Sequence, residues 1–203
     1  MKILLVFCHP RRQSLSGAVA EAFEAGALEA GHEIEWADLY GEGFNPVLMP
    51  EDEPDWSVTD KRYSDVVHHE MERVDRNDAI VMVFPIWWWS MPAMLKGWVD
   101  RVWNKDWAYG GKQLKHEYGL MIGLGANDEE GFEKHAYTMA MGVQMPYGIM
   151  SYCGIPDNRL VVLPEAGADP ERTERQLDQV RHLGGIFPLC VQPPSNTSSI
   201  YLS

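Results

Sequence analysis

The sequence predicts a doubly wound α/β domain of five parallel strands in the order 2-1-3-4-5, with helices on both faces. Three observations predict it. Apolar or nearly all-apolar runs at 2–7 and 79–84 have the composition of strands covered on both faces. Helical periodicity alternates with these runs along the chain, the pattern of a parallel sheet. Right-handed crossovers then limit the topology, and five strands fit an order whose switch point lies between the first and third.

The elements follow in turn. Residues 2–7 form the first strand. Ser14 suits a helix N-cap, Leu15, Ala18, Val19, Ala22, Phe23 and Gly26 keep helical spacing, and Gly31 ends that helix. The second strand covers 33–39, with Ile34, Trp36 and Leu39 as its apolar positions. Residues 41–54, rich in Gly, Pro and acids, read as a long surface loop, and 60–75 as a polar helix. The third strand covers 79–84. Ser90 as cap and Pro92 in the first turn start a helix over 90–103, whose Met91, Leu95, Trp98, Val99 and Val102 repeat at spacings of three and four. A loop over 104–115 leads to the fourth strand, 118–124. A loop and helix over 125–153 are interrupted by Pro146. The fifth strand is 159–163, and Asp169 caps a last helix running to about residue 183. We divide the chain into one domain, 1–187, and a Ser/Pro-rich tail, 188–203, expected to be frayed.

The chain has 203 residues, 45% of them apolar, which is enough for one substantial core. Its net charge of −13 argues against a nucleic-acid-binding surface. Cys8, Cys153 and Cys190 are widely spaced with no CxxC, so neither a disulfide framework nor a zinc site is suggested. No signal peptide and no membrane-spanning run is read, so a cytoplasmic, reducing location is expected.

Three stretches carry chemistry. His9-Pro10-Arg11-Arg12-Gln13-Ser14-Leu15-Ser16-Gly17 ends on a helix N-terminus, where free N–H groups and the dipole favour an anion. It is neither GxGxxG nor a P-loop, and the plain alternative is a capped turn with solvated arginines. Trp87, Trp88 and Trp89 follow the third strand at the carboxyl edge, where such folds bind ligands. A flat aromatic wall there suits a flat ring; the alternatives are core or a partner interface. Gly123, Leu124, Gly125 and Ala126 are mostly small and let backbone N–H groups approach a ligand.

Together these stretches resemble the flavodoxin-like NAD(P)H:quinone oxidoreductases. FCHPRRQSLSGA is similar to that family's xxHPxxxSxN/S pattern. FPIWWWSMPAMLKGWVDRVW, followed by WAYG, is similar to its FPLxWxxxPAxLKGWxDRVF and FAY signatures, and SYCGI to its FCG motif. The resemblance spans 1–155. It extends to relatives among the modulator-of-drug-activity and potassium-efflux ancillary oxidoreductases. It implies a non-covalent flavin, FAD before FMN, a homodimer, and ping-pong hydride transfer from NADPH or NADH to a quinone-like acceptor. Carried across, it places the flavin phosphate at His9, Ser14, Leu15 and Ser16. The isoalloxazine falls along Pro85, Trp87, Trp88, Trp89 and Ser90, and beside Gly123, Leu124, Gly125 and Ala126. Trp107 and Tyr109 would line the substrate cavity, partly from the neighbouring subunit. His135 and Tyr137 are the candidate proton-relay residues. Two departures stand out: MIGLGA replaces a TTGG-type loop and loses its hydroxyls, and the extra C-terminal domain of longer mammalian members is absent from this sequence. The competing function is an ancillary subunit of a potassium-efflux system with slow turnover. A one-electron flavodoxin carrier is disfavoured, because His9-Pro10 and the arginines stand where its loop carries threonines.

Overall fold

Burial on both faces makes the strands. In a computed structural model, which describes residues 1–191 and 199–202, β1 (Lys2–Phe7), β2 (Glu33–Asp38), β3 (Ala79–Pro85), β4 (Tyr118–Leu124) and β5 (Asp157–Leu163) are parallel. They lie in the predicted order 2-1-3-4-5. A sixth strand, β6 (Ser199–Tyr201), adds to β5 in parallel, with Leu160 opposite Ser199 and Val162 opposite Tyr201. It falls inside the tail expected to fray. Cys190 and Val191, also past residue 187, are buried in the core.

The pleat sends alternate side chains to opposite faces. Ile3, Leu5, Phe7, Val81 and Val83 face α1 (Leu15–Glu29) and α6 (Pro170–Ile186). Leu4, Val6, Ile80, Met82 and Phe84 face α2 (Asp65–Asp75) and α3 (Ala93–Val102). Two glycines let α1 and α6 touch backbone to backbone. A Cβ at Gly26 would lie 1.8 Å from Arg181 O, and one at Gly184 would lie 2.2 Å from Phe23 O.

Three boundaries differ from expectation. α2 starts at Asp65 rather than near residue 60, because Ser64 caps it by accepting from Val67 N–H. α3 starts at Ala93 with Pro92 as its cap, not Ser90. The stretch after β4 divides into α4 (Glu129–Lys134), α5 (Tyr137–Gly142) and a π-helix (Val143–Ser151) that continues through Pro146. Proline clashes with the carbonyl four residues back in an α-helix, and the wider i→i+5 turn relieves that clash.

The 39–64 loop is fixed by a buried ion pair. Arg101 Nη2 donates to Asp52 Oδ2 at 2.6 Å, and the Ser64 N–H and hydroxyl donate to the same carboxylate at 2.8 and 3.0 Å. No helix among the described residues is long and apolar enough to cross a membrane.

Candidate functional site

β1 and β3 are neighbours, so the loops at their carboxyl ends meet. Cys8 N–H donates to Val83 O at 3.0 Å as the chain leaves the sheet. His9 then turns Nδ1 back on the Arg11 backbone, 3.1 Å from N and 2.9 Å from O, leaving Nε2 for a ligand. Ser14 caps α1 by accepting from Gly17 N–H at 3.2 Å. Leu15 and Ser16 open the helix, Leu15 half-buried and Ser16 buried. No acidic residue stands in that first turn, so the positive end of α1 is not neutralised by its own side chains. The turn is tight: a Cβ on Gly17 would lie 1.9 Å from Arg12 O. Arg12 leaves the loop, with its guanidinium 3.5 Å above the Trp36 ring.

Pro85 ends β3, and Ile86 N–H reaches Leu124 O at 2.7 Å. The tryptophans then make a two-residue turn. Trp87 N–H donates to Ser90 O at 3.0 Å, and Ser90 N–H donates to Trp87 O at 3.1 Å. Trp88 and Trp89 occupy the centre at φ 52° and 60°. This is the mirror-image hairpin turn usually given to Asn-Gly. Left-handed backbone at non-glycine residues costs of order 1–3 kcal/mol each. This turn holds the Ser90 backbone, which explains why Ser90 does not cap α3. The three indoles diverge: Trp88 is 94% exposed, Trp87 43%, and Trp89 folds inward. Trp89 stacks on Tyr137 with centroids 3.6 Å apart and planes at 6°, and meets Phe132 nearly perpendicular at 5.6 Å.

A crevice of about 150 Å³ lies between Ile86, Trp88, Trp89, Gly125, Ala126, Asn127 and Phe132. The backbone donors expected across the β4 loop are fewer than four. Gly123 and Leu124 are still in β4, paired on both sides. Gly125 N–H donates to Leu163 O at 2.9 Å. Donors toward the crevice therefore come from the exposed Ala126 and Asn127. His135 ends α4 and is exposed, with its ring 5.4 Å from that of Tyr137.

Trp107 and Tyr109 are not brought to this crevice within one chain. Trp107 Nε1 donates to Asp75 Oδ2 at 3.1 Å. It borders a hollow of about 760 Å³ at the opposite, amino edge of the sheet, with Met1, Asp78, His116 and Tyr118. That hollow contains none of the switch-point residues. Tyr109 lies between Trp56 and Tyr152, each with ring centroids 6.1 Å away. Burial pushes its hydroxyl pKa up, helped by the nearby Tyr152 and Cys153. Sequence reasoning missed Phe132, Asn127 and Trp56. Phe132 carries a helical spacing signal from Asp128, its cap; Trp56, in an irregular loop, carries none.

The Flavodoxin-like fold family matches residues 1–183. The chain belongs to this family. A flavodoxin-like relative of known structure is the NAD(P)H:quinone oxidoreductase from Methanothermobacter marburgensis. It is 31% identical, with a TM-score of 0.88, and the match covers 93% of this chain and 96% of that one. The uncharacterized NAD(P)H oxidoreductase YcaK of Escherichia coli (strain K12) is 42% identical over 157 residues, covering 77% of this chain and 80% of its own. NAD(P)H dehydrogenase (quinone) 1 of Rattus norvegicus is 28% identical over 123 residues, covering 53% of this chain and 45% of its own. Flavodoxin-like homologues of this chain are thus named as NAD(P)H oxidoreductases and quinone reductases.

Proposed function

We propose that the protein is a flavin-dependent NAD(P)H:quinone oxidoreductase. The observation that carries this is the switch point, where an exposed indole, two backbone donors and an acid-free helix N-terminus converge. These residues fit a flavin. The α1 N-terminus, with His9 Nε2, suits its phosphate. Trp88 offers a flat apolar face, and Ala126 and Asn127 offer N–H groups to the polar rim of the ring. At about 150 Å³ the crevice would hold the rim of a three-ring system, with Trp88 beside it to hold the rest.

When bound, flavin supplies the redox step, accepting a hydride from NADPH or NADH and delivering it to a quinone-like acceptor. The chain's own residues bind and orient. Trp88 fixes the plane, Ala126 and Asn127 stabilise negative charge at the rim, and Tyr137 or His135 provides a hydrogen-bond donor. With one ring face on Trp88, donor and acceptor would use the other in turn, which is ping-pong order. FAD is the first choice and FMN the second.

The homodimer reading rests on an exposed apolar row. Met139, Val143, Tyr147 and Tyr152 are all more than half exposed. Tyr152 N–H bonds Tyr147 O at 3.2 Å, the i→i+5 bond of the π-turn, so these positions share one side of the helix. An apolar row of this size suits a second copy. Tyr109 and its neighbour Trp56 would then serve the partner's cavity. Three free, buried cysteines fit a reducing, cytoplasmic compartment.

The test is the absorbance spectrum of purified protein, the mass of released flavin, and turnover with NADPH and benzoquinone. A yellow protein with turnover is expected. A colourless protein that neither flavin reconstitutes would overturn the proposal. Bound flavin without turnover would favour an ancillary, regulatory subunit.

A further inference from the structure

The hollow at the amino edge of the sheet, about 760 Å³, has no part in the flavin proposal, and its size is that of a small-molecule site. Its walls mix acids with rings: Asp75, Asp78 and Glu117 stand beside Trp107, His116 and Tyr118. The fold brings the acids together. Ala79 pairs with Tyr118, so Asp78 and Glu117, one residue earlier, lead into β3 and β4 side by side. Like charges on adjacent strands repel. Asp75 ends α2 and takes the Trp107 Nε1–H on its carboxylate at 3.1 Å. Among the described residues none of the three carboxylates stands in an ion pair. Of the cations on the border, Lys112 is paired with Asp60 at 3.2 Å and the Met1 amine lies 3.3 Å from His32 Nδ1, which leaves Lys115 against three acids.

His116 is an independent sign of a missing partner. It is only 4% exposed. Its Nε2 lies 3.0 Å from Val74 O, and a carbonyl only accepts, so the proton sits on Nε2. Burial pushes its pKa below the ordinary 6.5, against the pull of Val74 O and Asp75, so the ring is uncharged at neutral pH. Nδ1 is then a buried acceptor with no partner in the chain, a costly state. Carboxylates, an imidazole lone pair and aromatic faces all suit one chemistry, an N–H donor that carries positive charge.

We propose that this hollow binds an organic cation with ammonium groups, of the linear polyamine class. Asp78 and Glu117 hold one ammonium, and Asp75 and His116 Nδ1 hold another. Trp107 and Tyr118 cover the methylenes and attract the charge through their ring faces. An anionic ligand would meet three carboxylates and one unpaired lysine. The site lies at the edge opposite the switch point and does not depend on flavin.

A chain of net charge −13 attracts cations over its whole surface, so the test separates this hollow from general attraction. Isothermal titration of the purified full chain uses spermidine and putrescine as probes, with butanediol as the uncharged analogue and sodium chloride at matched ionic strength as the screening control. One spermidine per chain is expected, with putrescine weaker and butanediol silent. Exposed charge contacts are individually modest, so Asp78→Asn and Glu117→Gln should each weaken spermidine about 2–5-fold, and the double variant about 5–20-fold. Trp107→Leu should weaken it about 2–5-fold, and Trp107→Phe less. Asparagine at 78 keeps an oxygen for the Lys2 N–H, now 2.7 Å from Asp78 Oδ2, so the fold should hold, as far-ultraviolet circular dichroism checks; if it does not, Glu117→Gln alone carries the test. The control Glu171→Gln/Glu174→Gln removes the same charge from α6, which begins beyond the opposite edge, and should leave affinity unchanged. Equal weakening by that control would overturn the site. So would heat no greater than salt screening explains, or spermidine affinity that survives loss of the Asp78 and Glu117 charges. All these readings are made without turnover, so they stand or fall apart from the flavin proposal.

Discussion

Trp88→Ala separates a ligand wall from a core residue. The indole is 94% exposed, so removing it deletes almost no packing from the folded chain. Substitutions at such positions change stability by no more than about 0.5 kcal/mol. In the complex, one indole face against a flat ring loses roughly 80 Å² from water, a fraction of what a large aromatic buries. At about 25 cal/mol per Å² that is about 2 kcal/mol, or roughly thirty-fold in flavin Kd. The assay is thermal melting with and without saturating flavin, together with titration of flavin fluorescence. The expected result is a flavin-free Tm near wild type and a much smaller flavin-induced rise. Equal losses with and without flavin would refute the reasoning and show that the indole stabilises the chain by itself. Trp98 is the contrasting case. It is fully buried with Nε1 donating to Glu70 Oε2 at 2.8 Å, and Trp98→Ala should cost about 3–5 kcal/mol in either state.

Two further expectations concern the long loop and the exposed row. Burial pushes the Asp52 carboxyl up, but the Arg101 guanidinium and the Ser64 donors outweigh burial and hold it below its usual value of 3.8. A depressed carboxylate contributes stability above its unfolded pKa and loses it as pH falls through the folded one. The Asp52 contribution should therefore be complete at neutral pH and fade below about pH 4, a fade that urea melts across pH 2–7 should find missing in Asp52→Asn. Asp52→Ala leaves Arg101 buried without its partner and should cost about 3–5 kcal/mol at pH 7. For the row, Val143→Glu/Tyr147→Glu should convert a sedimenting dimer to a monomer with its fold intact; a wild-type monomer at micromolar concentration would end the homodimer proposal.

The sheet was legible because its central strands are continuous apolar runs between loops, and a strand buried on both faces has little freedom to be anything else. The meeting of the loops after β1 and β3 followed from strand order alone. What escaped was decided by side-chain direction and unusual backbone. Two adjacent tryptophans carry no signal for a left-handed turn, so Ser90 read as a helix cap. Pro146 read as an interruption because the rule against proline assumes α geometry. Trp107 and Tyr109 sit two residues apart on one irregular loop, where spacing does not say which way a ring points. Trp107 found Asp75, 32 residues away. The β4 loop misled for a simpler reason: Gly123 and Leu124 belong to β4 itself, which ends at Leu124 as its apolar run does, and Gly125 N–H is taken by Leu163.

The three residues of β6 have a consequence for anyone handling this chain. They lie along the outer side of β5, where Leu202 N–H also bonds Val162 O at 3.1 Å and Gln176 Nε2 holds Leu202 O at 3.3 Å. Without them, the apolar stretch from Leu160 to Leu163 would present a bare ladder edge of the kind that templates aggregation. A deletion ending before Ser199 should precipitate or form strand-swapped species rather than yield a smaller soluble protein. Affinity tags belong at the other terminus, where the chain enters β1, an interior strand already paired on both sides with β2 and β3.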